Sequence, residues 1–151
     1  MALDRGLIGT ETAGETMLVS RSRLRFFAKA TGQTDPIYTD IDAAKQAGHR
    51  DLPVPPSFFT AIDLENPDPF GWLAAIGVDL RNVLHGEQEF IYHRTAYAGE
   101  ELTTKSTVTN IYDKKGGALE FLERTTTITS QDGELVAEAI STTVIRQLTL
   151  T

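Results

Sequence analysis

The sequence predicts an α+β domain in which a five-stranded antiparallel sheet wraps around one long buried helix. Two observations carry this prediction. From Arg81 onward the chain alternates with a period of two in four long stretches, 81–94, 101–112, 118–129 and 135–146, each rich in Thr, Val, Ile and aromatics. Upstream, LPVPPSFFTAIDLENPDP is apolar almost all round through Phe58, Phe59, Ala61, Ile62 and Leu64, so a helix there has to be buried. GETMLVS supplies a fifth strand ahead of the first helical pattern, and wrapping the sheet around the helix buries both patterns at once. At 151 residues, with no internal repeat or low-complexity linker, the whole of 1–151 reads as one domain.

The elements follow in order. SRSRLRFFAKATG places Leu24, Phe27, Ala28 and Thr31 at helical spacing, with Ser20 to cap the start and Gly32 to close the end. The stretch GQTDPIY, 32–38, begins where that helix stops. Asp35 before Pro36 signals a turn, and DIDAAKQAG reads as a short helix closed by Gly48. Pro56 suits a first helical turn, whose free backbone N–H groups at Ser57, Phe58 and Phe59 welcome a polar or anionic group. PFGWLAAIG is a smaller helical or irregular piece. YAGE, DKKGG and SQDGE separate the strands, and the last is a hairpin signal.

Composition excludes several classes of function. A net charge of −7, from 21 acidic and 14 basic side chains, argues against a nucleic-acid surface. With no cysteine there is no disulfide, thiolate nucleophile or cysteine-ligated metal, and three dispersed histidines give no zinc spacing, so no metal is expected. The N-terminus lacks a continuous apolar signal core, and no apolar run approaches a membrane span. The expectation is a soluble, cytoplasmic protein without a membrane partner.

The order strand, helix, GQTDPIY loop, short helix, VPPSF helix and four long strands resembles the MaoC-like hotdog family, which includes R-specific enoyl-CoA hydratases and hydroxyacyl dehydratases. AKATGQTDPIY, LPVPPSFF, LHGEQEFIYH and IYDKKGGALEF resemble in particular the MaoC dehydratase N-terminal branch, which is similar to the dehydratase region of type I fatty acid synthases. The resemblance implies a hotdog domain acting on acyl thioesters of coenzyme A or acyl carrier protein, with no cofactor, in homodimeric or heterodimeric pairs that share a site. Active hydratases of the family carry a loop G-D-x-N-P-(I/L/V)-H, whose Asp and His hold the water added across C2–C3. Here Gly32, Pro36 and Ile37 match, whereas Gln33 stands at the Asp position, Asp35 at the Asn and Tyr38 at the His. Glutamine is no base, and an unperturbed tyrosine, with a pKa near ~10, is a donor.

Each candidate has two readings. Asp35 is a displaced base or an Asx turn capping the next helix; Tyr38 donates to a thioester oxygen or merely packs its ring. His49 reaches the loop's pocket or lies on an exposed turn. His85 adjoins Gly86, where a strand glycine admits a ligand or another backbone, and strict alternation puts His85 with Glu87 and Glu89, opposite Leu84, Gln88, Phe90 and Tyr92. Gln33, Ser57 and Phe58 join His49, His85 and Gly86 as candidate substrate-binding residues, with Asp35 and Tyr38 as candidate catalytic ones. Arg21, Arg23 and Arg25 crowd a helix start where cations are disfavoured by about 0.3 kcal/mol or more each, so they form a solvated face or meet a phosphate. Lys114 and Lys115 are a hairpin tip or a coenzyme A contact.

The leading expectation is a subunit that shapes the acyl-thioester tunnel while a MaoC-like partner chain supplies the Asp and His. The alternatives are a self-sufficient hydratase using Asp35 and Tyr38, a non-catalytic acyl-CoA binding module, and a thioesterase using Asp35.

Overall fold

The computed structural model describes residues 2–147; residue 1 and residues 148–151, at the two ends of the expected domain, lie outside the described residues. Strands β1 (Glu11–Leu18), β2 (Val83–Tyr92), β3 (Glu101–Lys114), β4 (Leu119–Ser130) and β5 (Leu135–Arg146) form one antiparallel sheet in the order β1-β3-β4-β5-β2. The first two strands in sequence are therefore the two edges of the sheet. The connection between them carries α1 (Arg21–Ala30), α2 (Ile41–Gln46), α3 (Thr60–Asp63) and α4 (Gly71–Ala75).

The helix flanking the GQTDPIY loop starts and stops where its sequence signals lie. The Ser20 hydroxyl accepts the Arg23 amide at 3.2 Å. At the other end Gln33 N–H donates to Ala28 O at 2.8 Å and Gly32 N–H to Lys29 O at 3.3 Å, with Gly32 at φ +69°. This double closure needs a left-handed residue that glycine supplies without strain. Helix α2 closes in the same way: His49 N–H donates to Ala44 O at 2.9 Å and Gly48 N–H to Lys45 O at 3.0 Å. The arginines of α1 are engaged rather than free. Arg21 grips Asp51 at 3.0 and 2.7 Å, Arg23 holds both oxygens of Glu65, and Arg25 Nε donates to Thr39 O at 2.8 Å. They tie α1 to three separate segments and form no phosphate cradle.

The buried helix is shorter than expected. Pro56–Phe59 is a 3₁₀ turn, and only Thr60–Asp63 is α-helical. Pro67 and Pro69 cannot donate, and each disfavours helix in the residue before it, so the apolar run ends in the irregular chain of ENPDP. The segment is buried all the same: Phe58, Phe59 and Ile62 join Leu24, Leu52, Val54, Leu102, Ile128 and Val136 in one core cluster. A second cluster, with Leu73, Val78, Ile111, Leu122 and Ile145, lies toward the other end of the sheet.

The strand pairing resolves which side chains face inward, toward the helices. Across β2, β5, β4 and β3 the inward rows run Tyr92, Ala137, Ile128, Thr104; then Phe90, Ala139, Thr126, Ser106; then Gln88, Ser141, Arg124, Val108; then His85, Thr143, Leu122, Ile111. His85 therefore lies on the same face as Gln88 and Phe90, not with Glu87 and Glu89 as strict alternation requires. The reason is a bulge between His85 and Glu87, which leaves Gly86 as an extra residue and reverses the alternation. A Cβ on Gly86 would stand 2.8 Å from Val144 Cγ2 and 3.0 Å from Thr142 O. Gly86 thus admits the backbone of β5 rather than a ligand. Gly86→Ala is expected to lower stability by about 1–3 kcal/mol, read as a lower midpoint in denaturant unfolding.

Candidate functional site

The GQTDPIY loop turns its polar side chains back on its own backbone. Gln33 Oε1 accepts the Asp35 amide at 3.0 Å, and Asp35 Oδ1 accepts the Ile37 amide at 3.1 Å, capping the 3₁₀ turn Pro36–Tyr38. Both side chains are exposed, and neither lines the cavity that Tyr38 lines. Asp35 is in place as the Asx cap, and Gln33 supports it.

Tyr38 points the other way. With Ile37, His49, Pro56, Phe59 and Tyr92 it walls a cavity of about 190 Å³ at the start of the buried helix. Tyr92 donates to Pro56 O at 3.0 Å, and burial, reinforced by the neighbouring Tyr38, pushes its phenol above the ordinary value. It remains a protonated donor through neutral pH. His49 is half-buried rather than on an exposed turn, its Nδ1 3.1 Å from the Tyr97 hydroxyl and its ring tilted against that ring at 5.8 Å. Two of the candidates, Tyr38 and His49, therefore meet in one cavity, with Phe59 and Tyr92 as walls that the sequence had not singled out.

Behind this cavity lies a charged support that sequence reasoning missed. Glu100, 4% exposed, receives Arg94 at 2.8 and 3.2 Å, the Tyr97 amide at 3.1 Å and the Arg50 guanidinium. Burial alone would raise its carboxyl, but the hydrogen bonds and charge of Arg94 and the bond from Arg50 outweigh that and hold it below the ordinary glutamate value. Arg94 reaches the cavity wall from here. YAGE had signalled only a turn, since a glutamate after Gly99 looks solvent-facing until Arg50 and Arg94 are brought to it.

Other candidates are placed elsewhere. Phe58 is 3% exposed, sits edge-on to Phe27 at 5.3 Å, and its amide donates to Pro55 O at 2.9 Å. It is a core residue, and its N–H is already bonded. Ser57 and His85 line a second cavity of about 520 Å³ between the sheet and the chain from the buried helix to α4, with Phe59 shared between it and the Tyr38 cavity. A third, of about 490 Å³, lies toward β1. Asp63, Pro69, Trp72 and Arg124 line both larger cavities. Lys114 lies over Phe121 at 4.7 Å in the β3–β4 hairpin, at the opposite end of the sheet from Tyr38. Among the described residues no three His, Asp or Glu side chains form a metal-binding group, and no helix is long and apolar enough to cross a membrane.

Chemically, the Tyr38 cavity offers phenols that donate hydrogen bonds and one imidazole. It lacks the carboxylate that would share a water with that imidazole, because the carboxylate of the loop is turned outward as a cap.

Comparison with known proteins fits this geometry. A family model described as FAS1-like, dehydratase domain region matches residues 6–139. A UPF0336 protein of Parafrankia sp. (strain EAN1pec) is 40% identical over 152 residues, covering 97% of this chain and 96% of that one. Among solved structures, the C-terminally truncated HadBC (3R-hydroxyacyl-ACP dehydratase) complex from Mycobacterium tuberculosis matches with a TM-score of 0.77 at 24% identity, over 95% of this chain and 99% of that chain. A MaoC-like dehydratase matches at 0.80 and 25% identity, over 93% of this chain and 42% of that chain. The ChsH1-ChsH2 complex from Mycobacterium tuberculosis matches at 0.76 and 21%, over 93% and 91%. With its five strands wrapped around a short buried helix and its loop closed at Gly32, the chain belongs to the FAS1-like dehydratase-region family and has the hotdog fold of the MaoC-like dehydratases.

Proposed function

We propose that this chain is the substrate-binding subunit of a cytoplasmic acyl-thioester hydro-lyase, an enoyl-thioester hydratase or 3-hydroxyacyl-thioester dehydratase, whose carboxylate and imidazole come from a partner MaoC-like chain. The observation that carries the reading is the GQTDPIY loop. It keeps a hydratase-like frame, yet Gln33 and Asp35 are spent on its own backbone and Tyr38 faces the cavity where a histidine is expected. Tyr38, held beside the start of the buried helix, donates to the thioester oxygen, and the cavities beyond Phe59 take the acyl chain.

A surface for the partner lies beside the site. Among the described residues strand β2 is a sheet edge that pairs with β5 alone, and it exposes Leu84, Ile91 and Tyr92. An unpaired apolar edge is a template for adding a strand from another chain. The heteromeric neighbours HadBC and ChsH1-ChsH2 support pairing with a MaoC-like chain.

The test is loss of enoyl absorbance on crotonyl-CoA and longer enoyl-CoAs, with this chain alone and then mixed with a MaoC-like chain carrying G-D-x-N-P-x-H. Turnover is expected only in the mixture. Equal turnover by this chain alone would overturn the division of labour, and acyl-CoA binding without turnover in either case would favour a binding module.

A further inference from the structure

The inward face of the sheet is not apolar throughout. Between the two core clusters a polar band crosses it, formed by Ser106, Thr126, Arg124, Ser141, Gln88 and Thr143. Arg124 is its centre. The guanidinium lies over the Trp72 ring, 4.0 Å from the centroid, at the junction of the two larger cavities. Among the described residues it makes no hydrogen bond and no close ion pair. Several of its neighbours are already engaged: Asp63 accepts the Thr104 hydroxyl, Ser106 and Thr126 bond each other at 2.7 Å, and Gln88 donates to Ile140 O at 3.2 Å. Burial lowers the Arg124 guanidinium from its ordinary value, an effect that Asp63 opposes.

Arg124 is half-buried, and a guanidinium fork whose donors no described residue takes, at the junction of two cavities, is a recognition element for an oxygen acceptor, since a ligand oxygen that replaces water there gains a hydrogen bond to a charged group. The sign of the charge narrows the ligand. Asp63 lines both cavities with Arg124, and Glu15 and Asp68 line the cavity toward β1. These carboxylates repel an anion and leave a neutral oxygen favoured. Position narrows it further. Arg124 lies four residues along β4 from Ile128, the row of Tyr92, which is roughly 13 Å at the usual strand rise. An acyl chain whose thioester lies beside Tyr38 and Tyr92 reaches Arg124 some way down its length.

We propose that the groove selects acyl chains bearing a neutral oxygen, a hydroxyl or carbonyl, remote from the thioester, with Arg124 as the donor that reads it. The placement of the thioester rests on the function proposed above; the reading of the remote oxygen by Arg124 is tested separately from it.

Trp72 is the sole tryptophan, so its fluorescence reports on this spot directly. The full chain is titrated with dodecanoyl-CoA, its ω-hydroxy analogue and its ω-carboxy analogue, and separately with methyl hexyl ketone, which has no thioester. The ω-hydroxy analogue is expected to bind about tenfold or more tightly than plain dodecanoyl-CoA, the scale of a hydrogen bond to a charged group. The ω-carboxy analogue is expected to bind less tightly than the hydroxy one, and the ketone to perturb Trp72. Arg124→Met, which keeps the stem over the indole, removes both the preference and the ketone response; Arg124→Lys, keeping a charged donor, retains a smaller preference. Equal binding of the hydroxy and plain thioesters, or a preference that survives in Arg124→Met, overturns the assignment, and tighter binding of the carboxylate overturns its neutrality. A ketone response confined to wild type, with no thioester turnover in any mixture, sinks the hydro-lyase reading and leaves this one standing.

Discussion

Replacing Glu100 by alanine is expected to cost about 3–5 kcal/mol of folding stability, because it strands two guanidinium groups beside a buried site instead of removing one exposed pair. Glu100 is 4% exposed and collects Arg94, Arg50 and the Tyr97 amide. Those partners belong to three places that must meet: the chain after α2, the turn after β2 and the entry to β3. Domains of this size are commonly stable by about 5–15 kcal/mol, so the variant approaches the limit of folding. The same group gives a pH dependence of defined sign. Its folded carboxyl is held below the ordinary glutamate value, so the stabilisation is present above that ordinary range and is lost as pH falls through the lowered folded value. Unfolding midpoints followed downward from neutral pH should fall in wild type and fall less in Glu100→Gln, which starts lower. Parallel curves for the two proteins would show that Glu100 does not carry the linkage.

The second large effect concerns turnover. In a mixture with a partner chain, replacing the partner's loop Asp by Asn is expected to reduce enoyl-CoA hydration by about 10²–10⁴, the usual range for positioned acid–base catalysis. Asp35→Asn in this chain is expected to change it little. The Asp35 carboxylate accepts the Ile37 amide and faces solvent, and an asparagine oxygen can accept the same bond. Loss of activity in Asp35→Asn, with the partner's variant unaffected, would return the chemistry to this chain and sink the division proposed above.

Much of the fold was legible because its signals are local. Period-two runs located four of the five strands, GETMLVS overlapped the fifth, which starts earlier at Glu11, and Ser20, Gly32 and Gly48 fixed the helix ends because capping depends on neighbours three to five residues away. The loop's retained frame and altered side chains could also be read from the residues. What escaped depends on pairing between distant segments. Strict alternation gave His85 the wrong face because one extra residue at Gly86 reverses everything before it, and only the register with β5 reveals the bulge. Arg124 sits in a run of Glu, Arg and Thr that looks solvated on both sides until β3 and β5 settle which side is inward. The length expected of the buried helix failed because apolarity measured burial, while the prolines of ENPDP decided where helical bonding stops. His49 looked like an exposed turn because Tyr97, its ring partner, lies 48 positions away.

The twin closures at Gly32 and Gly48 have a consequence for how such a protein can change. Both ends of the segment holding GQTDPIY are fixed by main-chain bonds from residues 32, 33, 48 and 49, and the interior turns are capped by Asp35 and Asp40. None of this support depends on a reactive side chain at position 33 or 38, since Gln33 accepts from the Asp35 amide through an oxygen that many polar residues provide. The outline of the pocket is thus inherited separately from its reactivity. A duplicated chain can surrender the chemistry to its sister and keep the mould, with no penalty in folding to record the loss.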